Sequence, residues 1–167
     1  SLKFHGRELL FRHDYFWDRD ESRTRGGIPF LFPICGRLED SAMPIHGFAM
    51  RKAWEVIADS RPDQLWMRLK DDEETRAVYP YKFEIILKYA VSHDGLSCEQ
   101  IYGNRGSEPM PYYAGFHPYF YIPLDEKDKA QLSFKAERCF RYNEKFTGFA
   151  EEIPVPQQPL SITEDIN

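Results

Sequence analysis

Apolar and polar residues alternate with a period of two along much of this chain, most sharply in KFEIILKYAVS, residues 82–92. Phe83, Ile85, Leu87, Tyr89 and Val91 fall on one face, while Glu84, Lys88 and Ser92 fall on the other with Ile86 and Ala90. That pattern predicts a half-buried strand. His93, Asp94 and Gly95 follow as a tight turn, the Asp-Gly pair supplying a position that tolerates positive φ, and LSCEQIY (96–102) returns as the second strand of a hairpin. Shorter runs predict strands in AWEVIA (53–58), QLWMRL (64–69), AQLSFKA (130–136) and SLKFHG (1–6). Residues 71–79, DDEETRAVY, are acidic at the front and stop at Tyr79-Pro80, which fits a short helix or a polar loop equally. The proline-rich tail EEIPVPQQPLSITEDIN (151–167) reads as an extended connection.

Twelve prolines and ten glycines punctuate these short strands, and together they predict an all-β fold, a large antiparallel β-sandwich forming one domain over residues 1–167. With 42% hydrophobic and 16% aromatic residues the chain is too apolar for disorder. A net charge of −5 argues against a nucleic-acid partner, which calls for a basic face. No window reaches the roughly 20 apolar residues of a membrane span, and no signal-peptide core opens the chain, so a cytoplasmic location is expected. The three cysteines, Cys35, Cys98 and Cys139, are odd in number and widely spaced. They predict reduced, mostly buried thiols rather than disulfides or a metal site. Ser1 opens inside strand-like sequence and the tail has no closing signal, so the chain is expected to be part of a longer one.

Three segments gather the candidate chemistry: RGGIPFLFPICGR (25–37), MPIHGFAMRKAW (43–54) and PMPYYAGFHPYFYIP (109–123). Their prolines pre-set φ and their glycines permit close backbone approach, as a fixed non-repetitive shape requires. His46 and His117 are the titratable candidates, because imidazole exchanges protons near neutral pH. Aromatic residues flank both: Phe48 near the first, and Tyr112, Tyr113, Phe116, Tyr119 and Phe120 around the second. Aromatic faces stack on the C–H face of a sugar while His and Arg bond its hydroxyls, and apolar walls with a few convergent polar groups make a small-ligand pocket. His5, His13 and His93 read as spectators, Cys35 as a core thiol. No histidine pair has metal-ligand spacing, and no nucleophile elbow or phosphate-binding glycine loop occurs.

In order and spacing, GGIPFLFPICGR, MPIHGFA followed by a tryptophan, YPYKFEIILKYAVSHDGLSCEQIYGN and NRGSEPMPYYAGFHPYF resemble the landmarks of the aldose 1-epimerase (galactose mutarotase-like) family, from Gly26 to about Leu124. The resemblance implies a large antiparallel β-sandwich, incomplete here, with a sugar groove on its concave face. It implies an isomerase of aldohexoses that interconverts α and β anomers by acid–base ring opening and reclosure, without a cofactor. On the matching motifs His117 corresponds to the acid that protonates the ring oxygen. His46 corresponds to a second histidine near that oxygen, with both a catalytic and a binding part. Arg37 corresponds to the arginine that bonds sugar hydroxyls, and Phe48 and Tyr113 are the expected apolar walls. The family's general base is a late glutamate. None of Glu137, Glu144, Glu151, Glu152 or Glu164 stands in its motif, so the base is unassigned. Relatives acting on hexose 6-phosphates have arginine after HGFA; here Met50 stands there, ahead of Arg51 and Lys52, which points to an unphosphorylated sugar. The alternatives are a hexose-6-phosphate 1-epimerase, a non-catalytic carbohydrate-binding protein and a structural β-domain.

Overall fold

A computed structural model describes residues 2–13, 26–57, 61–145 and 147–161. In chain order its strands are β1 (Lys3–Phe4), β2 (Arg7–Glu8), β3 (Phe30–Leu31), β4 (Glu55–Val56), β5 (Gln64–Lys70), β6 (Phe83–Ser92), β7 (Gly95–Asn104), β8 (Gly115–Phe116), β9 (Gln131–Leu132), β10 (Cys139–Tyr142), β11 (Phe149–Ile153) and β12 (Leu160–Ser161). One α-helix, α1 (Glu73–Val78), and two 3-10 turns, Ala49–Arg51 and Leu124–Lys129, complete the described elements. Every strand pair is antiparallel, so the all-β class expected from the alternation is what forms. None of the described helices is long and apolar enough to cross a membrane. The chain divides into two compact units, one of residues Ser1–Pro29 with His117–Asn167 and the other of Phe30–Phe116.

The second unit is built on the sheet β4-β5-β6-β7. The long hairpin β6–β7 closes at Ser92↔Gly95, where Gly95 takes φ +151°, as the Asp-Gly turn predicted. The inward face of β6 follows the sequence pattern: Phe83 and Ile85 are 0% exposed and Leu87 1%, whereas Val91, at the hairpin end, is 49% exposed. Each such fully buried side chain is worth roughly 1.5–3 kcal/mol. Opposite them lie Phe30, Phe32, Ile34, Phe48 and Tyr79, with the Phe32 ring 5.2 Å from Phe83 and 6.0 Å from Phe48. AWEVIA supplies only Glu55–Val56 to the sheet, and its last residue lies outside the described ones. β7 is the edge of this sheet, bordered by β6 alone among the described strands.

Residues 71–79 form the helix rather than the loop, because the segment carries its own cap. Asp72 accepts from the Thr75 amide at 2.8 Å, and the Thr75 hydroxyl accepts from the Asp72 amide at 2.9 Å. Glu73 and Glu74 sit in the first turn, where the helix dipole favours them, and Pro80 bars continuation beyond Tyr79. Lys52 reaches across to both Asp72 (2.8 Å) and Glu74 (2.5 Å), tying the chain after the Ala49–Arg51 turn to the helix.

In the first unit Lys3 and Phe4 of SLKFHG form β1, and the chain turns back through His5 and Gly6, at φ +48° and +80°, into β2, Ser1 lying outside the described residues. AQLSFKA contributes only β9. The tail differs from expectation as far as Ser161, its later residues lying outside the described ones: Glu151–Ile153 belong to β11, which pairs with β10, and Leu160–Ser161 pair with β9. Cross-strand ion pairs Arg141–Glu151 and Arg138–Glu152 support β11, and the prolines end it at Ile153 instead of preventing it.

Candidate active site

In the second unit the candidate residues hang on one knot of backbone. The Phe32 carbonyl accepts from the amides of Phe48 (3.0 Å) and Ala49 (3.3 Å), while Phe32 and Gly47 form a parallel bridge. Gly47 takes φ +73°, and a Cβ there would lie 2.1 Å from the Phe32 carbonyl oxygen, so only glycine lets the two segments meet. The next residue back, His46, also adopts positive φ, +66°, a conformation costly for a residue with a side chain. Its amide donates to the Gly36 carbonyl at 2.8 Å, and its ring Nδ1 lies 2.8 Å from the Cys35 carbonyl oxygen. A carbonyl only accepts, so Nδ1 carries the proton; in the neutral ring Nε2 then holds the lone pair. Half-buried His46 is thus fixed in one tautomer by a backbone group.

Arg37 follows Gly36 directly and is exposed, one residue beyond the carbonyl that holds His46. Tyr113 is 75% exposed, and its amide donates to the Pro33 carbonyl at 2.8 Å, hanging it on the same segment, 33–37. β3 and β8 pair alongside, Phe30↔Phe116 and Leu31↔Gly115. Phe48, expected as a wall of the site, is instead a core ring: 5% exposed and stacked on Phe83 at 5.8 Å. The amides of Phe48 and Ala49 bonded to Phe32 turn that side chain inward. Cys35 is half-buried and its thiol is pushed up by burial, which suits a packing group and not a nucleophile. Tyr102, stacked 4.8 Å from Tyr112, is pushed up to about 12, first by burial.

His117 belongs to the other unit. Its amide donates to the Pro29 carbonyl (2.9 Å) and the Tyr119 amide to Gly27 (2.9 Å), while Phe11 donates to the Tyr119 carbonyl (2.8 Å). The extended segment 117–121 is therefore clasped between residues 9–11 and 27–29. Gly26, at φ +129°, is what allows residue 26 to pass within contact of Phe11: a Cβ would fall 2.5 Å from the Phe11 carbonyl oxygen. The His117 ring is exposed and stacks on Tyr119, two residues along the same face, at 4.8 Å and 27°. Sequence reasoning found the histidines but not what fixes them. The Cys35 and Gly36 carbonyls have no residue signature; the one available signal was the His-Gly pair itself. Among the described residues no group of three or more His, Cys, Asp or Glu side chains is disposed to hold a metal ion.

The family model for aldose 1-epimerase matches residues 22–167, and the chain belongs to that family. It is 28% identical over 131 residues to protein LacX of Lactococcus lactis subsp. lactis, covering 70% of this chain and 44% of LacX. A Salmonella typhimurium protein provisionally named a glucose-6-phosphate 1-epimerase is 32% identical over 78 residues, covering 45% of this chain and 26% of that one. The crystal structure of a galactose mutarotase related enzyme from Lactobacillus acidophilus matches with a TM-score of 0.61 at 30% identity, covering 73% of this chain and 41% of the other. The chain thus spans less than half the length of each.

Proposed function

We propose that this protein is an aldose 1-epimerase that interconverts the anomers of an unphosphorylated aldohexose. The observation that carries the reading is the seat of His46: a positive-φ histidine whose ring is locked by the Cys35 carbonyl, one loop away from Arg37. Backbone cost of that kind is retained where a side chain must be aimed. In this reading the His46 ring bonds a sugar hydroxyl, and Arg37 donates to neighbouring hydroxyls. Tyr113 offers its ring face. His117 gives a proton to the ring oxygen while a base takes the proton of the C1 hydroxyl. The bond between C1 and the ring oxygen breaks, C1 becomes a carbonyl, the C1–C2 bond rotates, and the transfers reverse to close the other anomer. A positioned acid of this type contributes about 100-fold or more. The base is left unassigned.

Polarimetry of freshly dissolved α-D-glucose and α-D-galactose with the full-length protein tests this. His117→Asn should cut kcat by about 100-fold. His46→Asn, which tolerates positive φ but removes the imidazole, should act mainly by raising KM. Mutarotation no faster than buffer would sink the reading; sugar binding without turnover would leave a carbohydrate-binding protein.

The Salmonella relative favours a second reading, with a hexose 6-phosphate as substrate. Against it, the neutral Met50 is exposed where a guanidinium would be wanted, and Lys52 is engaged by Asp72 and Glu74. Comparing kcat/KM for glucose and glucose 6-phosphate separates the two, and a preference for the phosphate would reverse the choice.

A further inference from the structure

Tyr79 is a core ring, yet its hydroxyl is the first member of a chain of contacts that ends on His46. The side chain is 6% exposed and packs against Tyr81, Phe32, Phe48 and Phe83 at centroid distances of 4.7, 5.8, 6.2 and 6.2 Å. From within that packing the hydroxyl donates to the Pro111 carbonyl at 2.8 Å. Two residues later the Tyr113 amide donates to the Pro33 carbonyl at 2.8 Å, and two residues after Pro33 the Cys35 carbonyl holds His46 Nδ1 at 2.8 Å. The three bonds join four segments in turn: the end of α1, residues 111–113, residues 33–35 and the His46 loop. Residues 109–114 carry no ladder of their own before β8, and Pro109 and Pro111 have no amide hydrogen to give, so the Pro111 carbonyl is where a side chain can pin them.

We propose that Tyr79 is a positioning residue for His46: by fixing the Pro111 carbonyl it holds in register the segments whose hydrogen bonds set the imidazole. Burial pushes the Tyr79 hydroxyl upward in pKa, so it remains a donor across the pH range in which an imidazole works. At its other end α1 is held by Lys52, six residues beyond His46, so a second tie runs from the helix to the chain that follows His46. The kinetic part of the proposal rests on the epimerase reading; the effect on the His46 ring does not.

Tyr79→Phe in the full-length protein tests it, since that change removes the hydroxyl and keeps the ring packing. Two readouts are taken. The first is the pair kcat and KM for mutarotation. With His46 and Tyr113 acting in binding, KM should rise about threefold or more while kcat stays within about twofold. The second is the ring-nitrogen NMR signature of His46, which should change from a single Nδ1–H tautomer to a mixture. Tyr81→Phe, a neighbouring ring outside the relay, is the control and should leave both unchanged. If Tyr79→Phe lowers the melting temperature but keeps the wild-type KM and the single tautomer, the hydroxyl is only a packing group and the proposal fails. If the wild-type protein shows no mutarotation, the epimerase reading falls and the nitrogen signature alone decides the role of Tyr79.

Discussion

A methyl group on Gly47 would arrive 2.1 Å from the Phe32 carbonyl oxygen and 2.7 Å from the Pro33 nitrogen, on a backbone already at φ +73°. Both colliding atoms are main chain and cannot swing aside, so Gly47→Ala must separate the 32–33 and 46–49 segments. The expected loss is about 3 kcal/mol or more in urea unfolding, at the upper end of what single changes do. Gly115→Ala makes the contrast: there the nearest atom to an added Cβ is the Cys35 sulfur at 3.5 Å, an ordinary contact. It should cost far less. Both glycines are visible in the sequence as members of motifs, but nothing local separates the indispensable one from the tolerant one. The difference is set by Phe32, fifteen residues upstream of Gly47. Phe48 teaches the same lesson: beside a candidate histidine it reads as a site wall, and the amide bonds to Phe32 put it in the core.

At the scale of elements, α1 is six residues long and holds through its ends. Thr75 is 1% exposed and contributes one half of the capping box, so Thr75→Val keeps the volume and strands the Asp72 amide. A loss of about 1 kcal/mol is expected, read as a shift of the urea midpoint without a change in slope. The acidic front and the Tyr-Pro stop made the helix legible as one of two options; the reciprocal Asp72–Thr75 bonds that decided it are a matter of geometry. The long strands were legible because their signals are local: β5 and β6 fall where the alternation placed them, and β7 where the Asp-Gly turn returned the chain. The short strands of the tail were not. Their pairing depends on partners many residues away, as Leu160↔Leu132 shows, and proline spacing hid them.

For the molecule as a whole, opposite ends of the pH scale act on different groups. Asp72 is held below the usual carboxylate range, first by its bond from Lys52, Glu84 first by Arg105 and Glu152 first by Arg138. A depressed folded pKa stabilises above the unfolded value and is lost as pH falls, so stability should decline on acidification below about pH 4.5. Tyr102 is raised from 10.0 to about 12, chiefly by burial, so stability present below pH 10 should fall as the pH rises through about 12. Urea midpoints measured across pH check both limbs, and Glu84→Gln should flatten the acid one. The order of the motifs made the family legible. The division into two units was not, because the first joins the two ends of the sequence through bonds such as Tyr121 to Leu9 and His117 to Pro29, which no local pattern announces. One consequence concerns the edge position of β7, ten residues long and bordered only by β6 among the described strands. Every second amide of such a strand turns away from its ladder. In the chain 1–167 solvent deuterium should therefore label β7 in a two-residue rhythm, fast then slow, whereas β6, flanked on both sides, should take it up slowly along its whole length.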